Sequence, residues 1–363
     1  MADVSEEDMQ AAVASGVLDE RQAARLKAFA DARAGFREQM PKDDEPFEFF
    51  RGFGEIFISV GLMLLLGAVA TLAPVDTLTG GGLGYGVVMA IGLGLSVALT
   101  GYFARRRRMS LPSIVLTSWF AYFLASLVVV GFLSFDWQIQ DIKRFGGLAA
   151  CLAAAAGMAV YYLAFRVPFT MLPLGLFVFA FILAASLNLT EFNDVLDDPA
   201  TVVFDLAQSP GPAAAMLIFG LLAFAAAIWF DLKDPYRLSR YSATAFWLHV
   251  LAAPALVNTI CLTLYNVGGA VGYLAATLAF FVMAALALIV DRRSFLLSGV
   301  AYFGLAIYTA FSAVGGDSFL TTTLTVGGLG AGMAALGAQW PRVRSAFMAA
   351  LPDFPGKQRL PPY

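Results

Sequence analysis

The sequence has little charge, one histidine and two cysteines, and each shortage excludes a class of protein. Only 13% of its 363 residues are charged and 60% are hydrophobic, whereas soluble domains average about 25% charged and roughly 45–50% apolar residues. The net charge of −3 leaves no basic excess for binding nucleic acid. One histidine and two cysteines exclude a multi-histidine metal site, a disulfide framework and a thiolate zinc site. We therefore expect no metal and no cofactor.

Long apolar stretches are what the sequence has in abundance, and its mean hydropathy is +0.76. A helix rises ~1.5 Å per residue, so ~20 apolar residues cross a hydrocarbon core of ~30 Å. Ten segments of this kind lie at 53–73, 82–104, 111–134, 147–165, 168–188, 212–230, 243–265, 267–290, 294–314 and 319–340. They predict an all-α, polytopic membrane protein with about ten transmembrane helices in a domain over 53–340, surrounded by lipid.

The positions of Lys and Arg predict the orientation of these helices. Of the 23 basic residues, all except Lys143 and Arg144 lie in segments that ten spans place on one side of the membrane. Basic residues accumulate on the cytoplasmic side, so both termini are predicted to be cytoplasmic. The run Arg105–Arg108 is interpreted as part of this topology signal.

Residues 1–40 predict a small cytoplasmic helical hairpin. Gly16 is expected to end its first helix, and Asp19 to cap the second with Gln22 in a capping-box position. Because so small a hairpin has too little core to stand alone, we expect it to dock on the cytoplasmic loops or on a protein partner. The other polar segments are interpreted as an acidic and aromatic interfacial linker and a cytoplasmic C-terminal tail, at 41–52 and 341–363.

Two ionisable residues are predicted to lie within the apolar spans, where each is a functional hypothesis by default. Glu55 falls in the first turn of the first span, four residues after Arg51. We interpret the two as an interfacial ion pair supported by the positive end of the helix. The other residue is His249, in the seventh span.

His249 is the centre of a hypothetical substrate-binding set with Trp247, Pro254 and Asn258. Pro254 removes a backbone hydrogen bond, so a kink is expected there. Asn258 is nine positions from His249, on the opposite face of a straight helix, and the two meet one ligand only if the kink rotates the upper half. Two interpretations of His249 stay open: a hydrogen bond to a neighbouring helix, or a role in a substrate or proton path.

Motifs of enzymes are missing from the sequence, and we expect the protein not to be an enzyme. A His-Glu-x-x-His zinc motif is impossible with one histidine. Two glycine clusters lack the strand and Lys-Ser/Thr ending of a phosphate loop, and the pairs Gly82/Gly86 and Gly328/Gly332 instead match the spacing that lets helices approach closely. The acidic segment 189–211 is interpreted as a solvated loop rather than a calcium site, since the EF-hand spacing is missing.

Two blocks of the sequence resemble known bacterial proteins. The stretch Ala245–Pro254 (Ala-Phe-Trp-Leu-His-Val-Leu-Ala-Ala-Pro), after the loop 231–240, resembles a block of uncharacterised polytopic inner-membrane proteins of proteobacteria. The segment Gly16–Leu26 is similar to the leader hairpin of the domain of unknown function 2157 group. The resemblance covers about a fifth of the chain. It implies a protein of the bacterial inner membrane and carries no activity with it.

The number of spans favours a transport-type function. Ten spans divide into two inverted halves of five, an arrangement common in secondary transporters, and the second and seventh spans are interrupted by glycine and proline. Since the spans carry so little charge, a permease-like protein would take a neutral, amphipathic or lipid-like small molecule. The alternative is a non-catalytic scaffold or sensor that recruits a partner through residues 1–40. An intramembrane lipid-modifying enzyme ranks third.

Overall fold

The computed structural model describes residues 8–9, 12–13, 15–34, 53–73, 83–133, 140–187, 197–234, 237, 240–313, 318–353, 356–357 and 360–361. Over these residues it contains helices and no strand, which confirms the all-α prediction. Helices α1 to α13 are, in chain order, Glu20–Ala34, Phe53–Thr71, Leu83–Thr100, Ser110–Leu133, Gln140–Phe165, Met171–Ser186, Pro199–Phe204, Pro210–Asp231, Arg240–Asn266, Gly269–Val290, Ser294–Ala313, Ser318–Ala338 and Trp340–Ala350. A π-helical turn, Gly101–Arg106, extends α3, and a 3-10 turn, Pro168–Thr170, precedes α6.

Within the described residues, nine helices are long and apolar enough to cross a membrane, namely α2 to α6, α8 to α10 and α12. The remaining predicted span, 294–314, lies on α11, whose apolar stretch Ser294–Thr309 is shorter. Large apolar side chains such as Leu64, Val160 and Leu278 are mostly exposed on these helices. An apolar outer surface suits helices surrounded by lipid rather than water. The prediction of a polytopic membrane protein is therefore confirmed.

The chain divides into two compact units. The first comprises the described residues of Met1–Pro46, Ala225–His249 and Val267–Tyr363, and the second those of Phe47–Phe224 and Val250–Asn266. Two of the boundaries between the units fall inside helices, one in α8 and one in α9. The units therefore do not coincide with the two halves of five spans that the sequence suggested.

In the second unit α3 packs against α4, α2 packs against both of them, α5 packs against α4, and α6 packs against α5. One of its core clusters includes Leu66, Met89, Leu116 and Phe123, all fully buried. Gly92 permits this packing, because a Cβ there would collide with the Phe123 ring. A polar contact joins α3, α4 and α5. The hydroxyl of Tyr161 lies 2.8 Å from Oγ1 of Thr100 and 3.3 Å from Oγ1 of Thr117, and all three residues are buried.

Substituting Gly92 with alanine is expected to destabilise the protein by ~1–3 kcal/mol, the usual cost of overpacking a filled core. Gly94→Ala is the matched control, because it lies on the same helix and a Cβ there meets nothing within 4 Å. Because alanine loses less conformational freedom on folding than glycine does, Gly94→Ala should be as stable as wild type or more stable by about 0.5–1 kcal/mol. Thermal melting of the detergent-solubilised protein measures both. Equal melting temperatures for the two variants would contradict the assigned packing.

In the first unit, α11 packs between α10 and α12, and α13 contacts α10 and α12. Phe280 and Phe303 stack with ring centroids 4.7 Å apart, and Gly304 makes room for Leu329. Among the described residues, a Cβ at Gly328 or Gly332 would meet nothing within 4 Å, so the close packing predicted at these glycines is wrong for this part of the chain. Gly82 lies outside the described residues, and a Cβ on Gly86 would make an ordinary contact with Val130.

The N-terminal segment shows the predicted helix-ending signals. Gly16 adopts a positive φ of 78°, and Val17 N–H donates to the carbonyl of Ala12, which ends the preceding turn. The Asp19 carboxylate accepts a hydrogen bond from Gln22 N–H at 2.7 Å, and the Gln22 side-chain oxygen accepts one from Asp19 N–H at 3.0 Å. This reciprocal capping box opens α1. The predicted linker 41–52 lies outside the described residues.

The acidic segment 189–211 differs from the solvated loop that the sequence predicted. Asp198 caps α7 by accepting from Thr201 N–H at 3.2 Å, and its hydrogen bonds with Thr201 hold its pKa below the usual range. Asp205, however, is fully buried and accepts from the Asn266 side chain at 2.7 Å and from the backbone N–H of Ala207 at 2.8 Å. The buried carboxylate thus fastens this segment to the end of α9.

Candidate functional site

Asp231, the last residue of α8, is buried and accepts hydrogen bonds from two side chains that sequence reasoning did not pair with it. Nε2 of His249 lies 2.8 Å from Oδ2, and Nη2 of Arg292 donates to Oδ1. His249 is fully buried and Arg292 is 1% exposed. One carboxylate therefore binds a histidine inside α9 and an arginine in the turn between α10 and α11. Because Asp231 accepts both bonds, ionised Asp231 fixes the histidine hydrogen on Nε2.

Asp291 is a second buried carboxylate, at the carboxyl end of α10. Its φ of 60° is left-handed, a conformation that aspartate tolerates better than most residues. Oδ1 accepts from Trp340 Nε1 at 2.7 Å and lies 3.4 Å from Arg344 Nε, and Oδ2 lies 3.0 Å from Arg237 Nη1. Three donors from two other segments thus converge on the residue that ends α10.

Arg344 links α13 to this end of α10. Its Nε donates to the carbonyl of Leu288 at 3.0 Å, and its Nη2 donates to the carbonyl of Pro361 at 2.8 Å. Trp340, Arg344 and Met348 recur every four residues and are all buried, so one face of α13 is docked. A cation beside the last carbonyls of a helix stabilises its negative end. The predicted C-terminal tail therefore begins as an ordered helix.

We call these residues together the charge cluster: Asp231, Arg237, Ser242, His249, Asp291, Arg292, Trp340 and Arg344. All belong to the first unit. They lie where α8 and α10 end, where α9 and α11 begin, and on α13. The topology places these helix ends on one side of the membrane, the side that the basic residues predict to be cytoplasmic.

The charge cluster holds three guanidinium groups and two carboxylates. Burial lowers the pKa of Arg237 to about 10, and the positive charges of Arg292 and Arg344 act in the same direction, while Asp291 and Asp231 oppose them. Arg237 nevertheless stays protonated at neutral pH. With both carboxylates ionised, the cluster carries one more positive charge than negative charge. The described residues contain no group of three His, Cys, Asp or Glu side chains that could hold a metal ion.

The predicted substrate-binding set is divided between the two units. His249 belongs to the charge cluster, and its bond to Asp231 is the interhelical hydrogen bond that one interpretation expected. Trp247 is half-buried with its ring against Phe246, at a centroid distance of 5.1 Å. Pro254 and half-buried Asn258 belong to the second unit, and α9 is assigned as helical through Pro254.

The predicted ion pair of Arg51 with Glu55 lies partly outside the described residues, because Arg51 is not described. Glu55 lies in the first turn of α2, as expected, and is buried. Its Oε2 accepts a hydrogen bond from Leu111 N–H at 3.3 Å. The carboxylate therefore lies at the positive end of α4, where negative charge is stabilising.

Sequence reasoning missed Asp231, Asp291, Arg292 and Trp340 as site residues. One signal could have found the two aspartates: each directly follows a long apolar run, on the side of the membrane otherwise rich in Lys and Arg. An acidic residue at such a position lies at the same depth in the membrane as the basic residues, which can therefore pair with it. The partners of the two aspartates, 18 to 61 residues away along the chain, cannot be assigned from spacing.

Comparison with family models, curated proteins and solved structures finds no match for the chain. The fold and the cluster therefore define its class by themselves. The chain is an all-α, polytopic integral membrane protein with a buried network of histidine, aspartate and arginine at one end of its spans.

Proposed function

We propose that this chain is a transport-type, permease-like protein of a bacterial inner membrane, in which both termini face the cytoplasm. We further propose that it carries an amphipathic or lipid-like small molecule, and that it belongs with the domain of unknown function 2157 group that its sequence resembles. The observation that carries the proposal is the buried contact of His249 and Arg292 with Asp231 at the ends of the spans.

Stability alone is a poor explanation of this network. Taking charges out of water is expensive, and apolar residues of the same volume usually hold helices together equally well or better. Ionisable residues within membrane spans are rare and, by default, indicate substrate or ion pathways. Histidine is the side chain whose ordinary pKa lies nearest to physiological pH, which suits it to linking proton binding with a change of conformation.

Two irregular helices support transport. Pro254 inside α9 removes the hydrogen bond to the carbonyl of Val250, and α3 ends in a π-helical turn, Gly101–Arg106. Interrupted helices and π-turns recur at the binding sites of transporters and other functional sites. The apolar span surfaces favour an amphipathic or lipid-like substrate. A neutral substrate was expected because the spans carry little charge, and the buried arginines remove that reason.

We propose a non-enzymatic role for the charge cluster. Nucleophilic catalysis by a hydroxyl or thiol needs a base that activates it. The hydroxyl of the cluster, on Ser242, lies 3.4 Å from Arg292 Nη2, and the Ser242 carbonyl accepts from the same nitrogen at 3.1 Å. Ser242 is thus engaged in holding the arginine.

Native mass spectrometry of the gently solubilised full-length protein tests the proposal. We expect a small molecule or lipid bound at fixed stoichiometry, and its loss in His249→Ala because Asp231 and Arg292 rearrange when the histidine is removed. Cys261→Ala is the matched control: Cys261 is buried on the same helix, has no part in the cluster, and its removal should leave the ligand bound.

The alternative function, a scaffold or sensor, has one observation in its favour. Val17, Leu26 and Phe29 on or beside α1 are 75%, 45% and 57% exposed, and exposed apolar side chains grouped on one element indicate a contact surface. A protein that co-purifies with wild type but is lost in Leu26→Ser/Phe29→Ser, with no small molecule retained, would replace transport by scaffolding.

A further inference from the structure

Arg292 has donor groups that the protein does not use. A guanidinium has five N–H bonds, two of them on Nη2, which contacts Asp231 and Ser242. Within the part of the chain that the structure describes, Nε and Nη1, with the other three N–H bonds, have no hydrogen-bond partner. The side chain is 1% exposed. Buried donors of a charged group are costly to leave unsatisfied, so they point to an acceptor that binds there.

The surroundings of Arg292 favour an acceptor with negative charge. The charge cluster has three arginines against two aspartates, and His249 can only add to the positive side. Arg237 and Arg344 are already engaged with Asp291, and Asp231 is shared between His249 and Arg292. Both carboxylates of the charge cluster are therefore engaged with these groups, and neither contacts Nε or Nη1 of Arg292.

The chain next to Arg292 adds further donors. Ser294, two residues later, is the first residue of α11, and its hydroxyl is buried without a hydrogen-bond partner among the described residues. The first N–H groups of a helix have no partner within the helix, and they carry partial positive charge. An oxyanion accepts from such groups and from guanidinium N–H bonds alike.

We propose that Arg292, with Ser294 and the amino end of α11, forms a binding site for a phosphate-type oxyanion. The anion is either the headgroup of an acidic lipid or free phosphate, since both present the same acceptor oxygens. That the bound anion is part of a transported substrate rests on the proposed function. Binding of the anion itself does not require transport. It explains why the cluster carries excess positive charge at a membrane interface.

The test measures retention of phosphatidylglycerol against phosphatidylcholine by native mass spectrometry of the full-length protein, with inorganic phosphate added at constant ionic strength. Arg292→Gln alone removes the guanidinium counter-charge of buried Asp231 and leaves it only the bond to His249, so the decisive variant is Asp231→Asn/Arg292→Gln, which removes both charges. Arg342→Gln is the matched control, because Arg342 is exposed on the neighbouring helix α13.

We expect wild type to retain one phosphatidylglycerol in preference to phosphatidylcholine. The apparent affinity should fall by about tenfold or more in the double variant, the loss expected from hydrogen bonds to a charged group. Arg342→Gln should stay within about twofold of wild type, as exposed charges contribute little. Ser294→Ala should weaken retention without affecting folding.

Displacement of the lipid by inorganic phosphate identifies free phosphate as an accepted ligand, while retention despite phosphate identifies the lipid headgroup. Equal binding by wild type and the double variant, or no preference for phosphatidylglycerol and no effect of phosphate on wild type, would overturn the site. This result is separate from that for the proposed function, which depends on the co-purified ligand and on His249 rather than on added probes and Arg292.

Discussion

Replacing Asp231 with alanine is expected to lower the free energy of unfolding by ~3–5 kcal/mol, the cost of breaking a buried ion pair by removing one partner. The variant leaves Arg292 and His249 buried with no carboxylate between them. The loss should show as a large fall in the denaturation midpoint of the protein in mixed detergent micelles. Asp353→Asn is the control, because Asp353 is fully exposed 3.3 Å from Lys357, and removing an exposed charge should change the midpoint little.

A compensated variant separates stability from function. In Asp231→Leu/His249→Phe/Arg292→Met, apolar side chains replace all three members of the network, so none of these three groups leaves a buried charge without its partner. We expect most of the lost stability to return, since apolar replacements of buried ion pairs are often neutral or stabilising. If the network serves transport, this stable variant should still lose the bound ligand. A compensated variant as unstable as Asp231→Ala would contradict the assigned interactions.

The fold could be predicted from the sequence because its signals are local. Apolar runs of ~20 residues specify spans whatever their neighbours are, and Asp19 with Gln22 specifies a capping box within four residues of chain. Glu55 was likewise assigned to the first turn of α2 from its position alone. Close packing at Gly328 and Gly332 depends on a second helix lying against them, and the sequence does not show whether such a helix is present.

The candidate site was predicted only in part, because its contacts join distant segments. The sequence identified His249 as an ionisable residue inside a span, but not its partner. The sequence places Asp231 in a loop, since the apolar run ends just before it, whereas in the structure it ends α8 and its carboxylate is buried in contact with His249 and Arg292. The docked face of α13 was readable in principle, as Trp340, Arg344 and Met348 recur at helical spacing.

The second large effect is expected at Asp291, where two substitutions separate the contribution of the charge from that of the left-handed backbone conformation. Asn also tolerates a left-handed φ, so Asp291→Asn keeps the turn and an acceptor for Trp340, while Arg237 and Arg344 lose their buried counter-charge. We expect a loss of ~3–5 kcal/mol in the free energy of unfolding. Asp291→Ala should lose about 1–2 kcal/mol more, because a Cβ without a polar group is strained at this φ.

Amide hydrogen exchange of α13 measures the effect of Asp291 locally. Trp340 and Arg344 hold α13 through Asp291, so Asp291→Ala should speed amide hydrogen exchange over Trp340–Ala350, more than over α10. Asp205→Asn is the matched control: Asp205 is another fully buried aspartate, in the second unit, held by Asn266. It should destabilise the protein without selectively exposing α13. Unchanged exchange in α13 of Asp291→Ala would show that the helix is held by its apolar face alone, since the carboxylate would then contribute nothing to its docking.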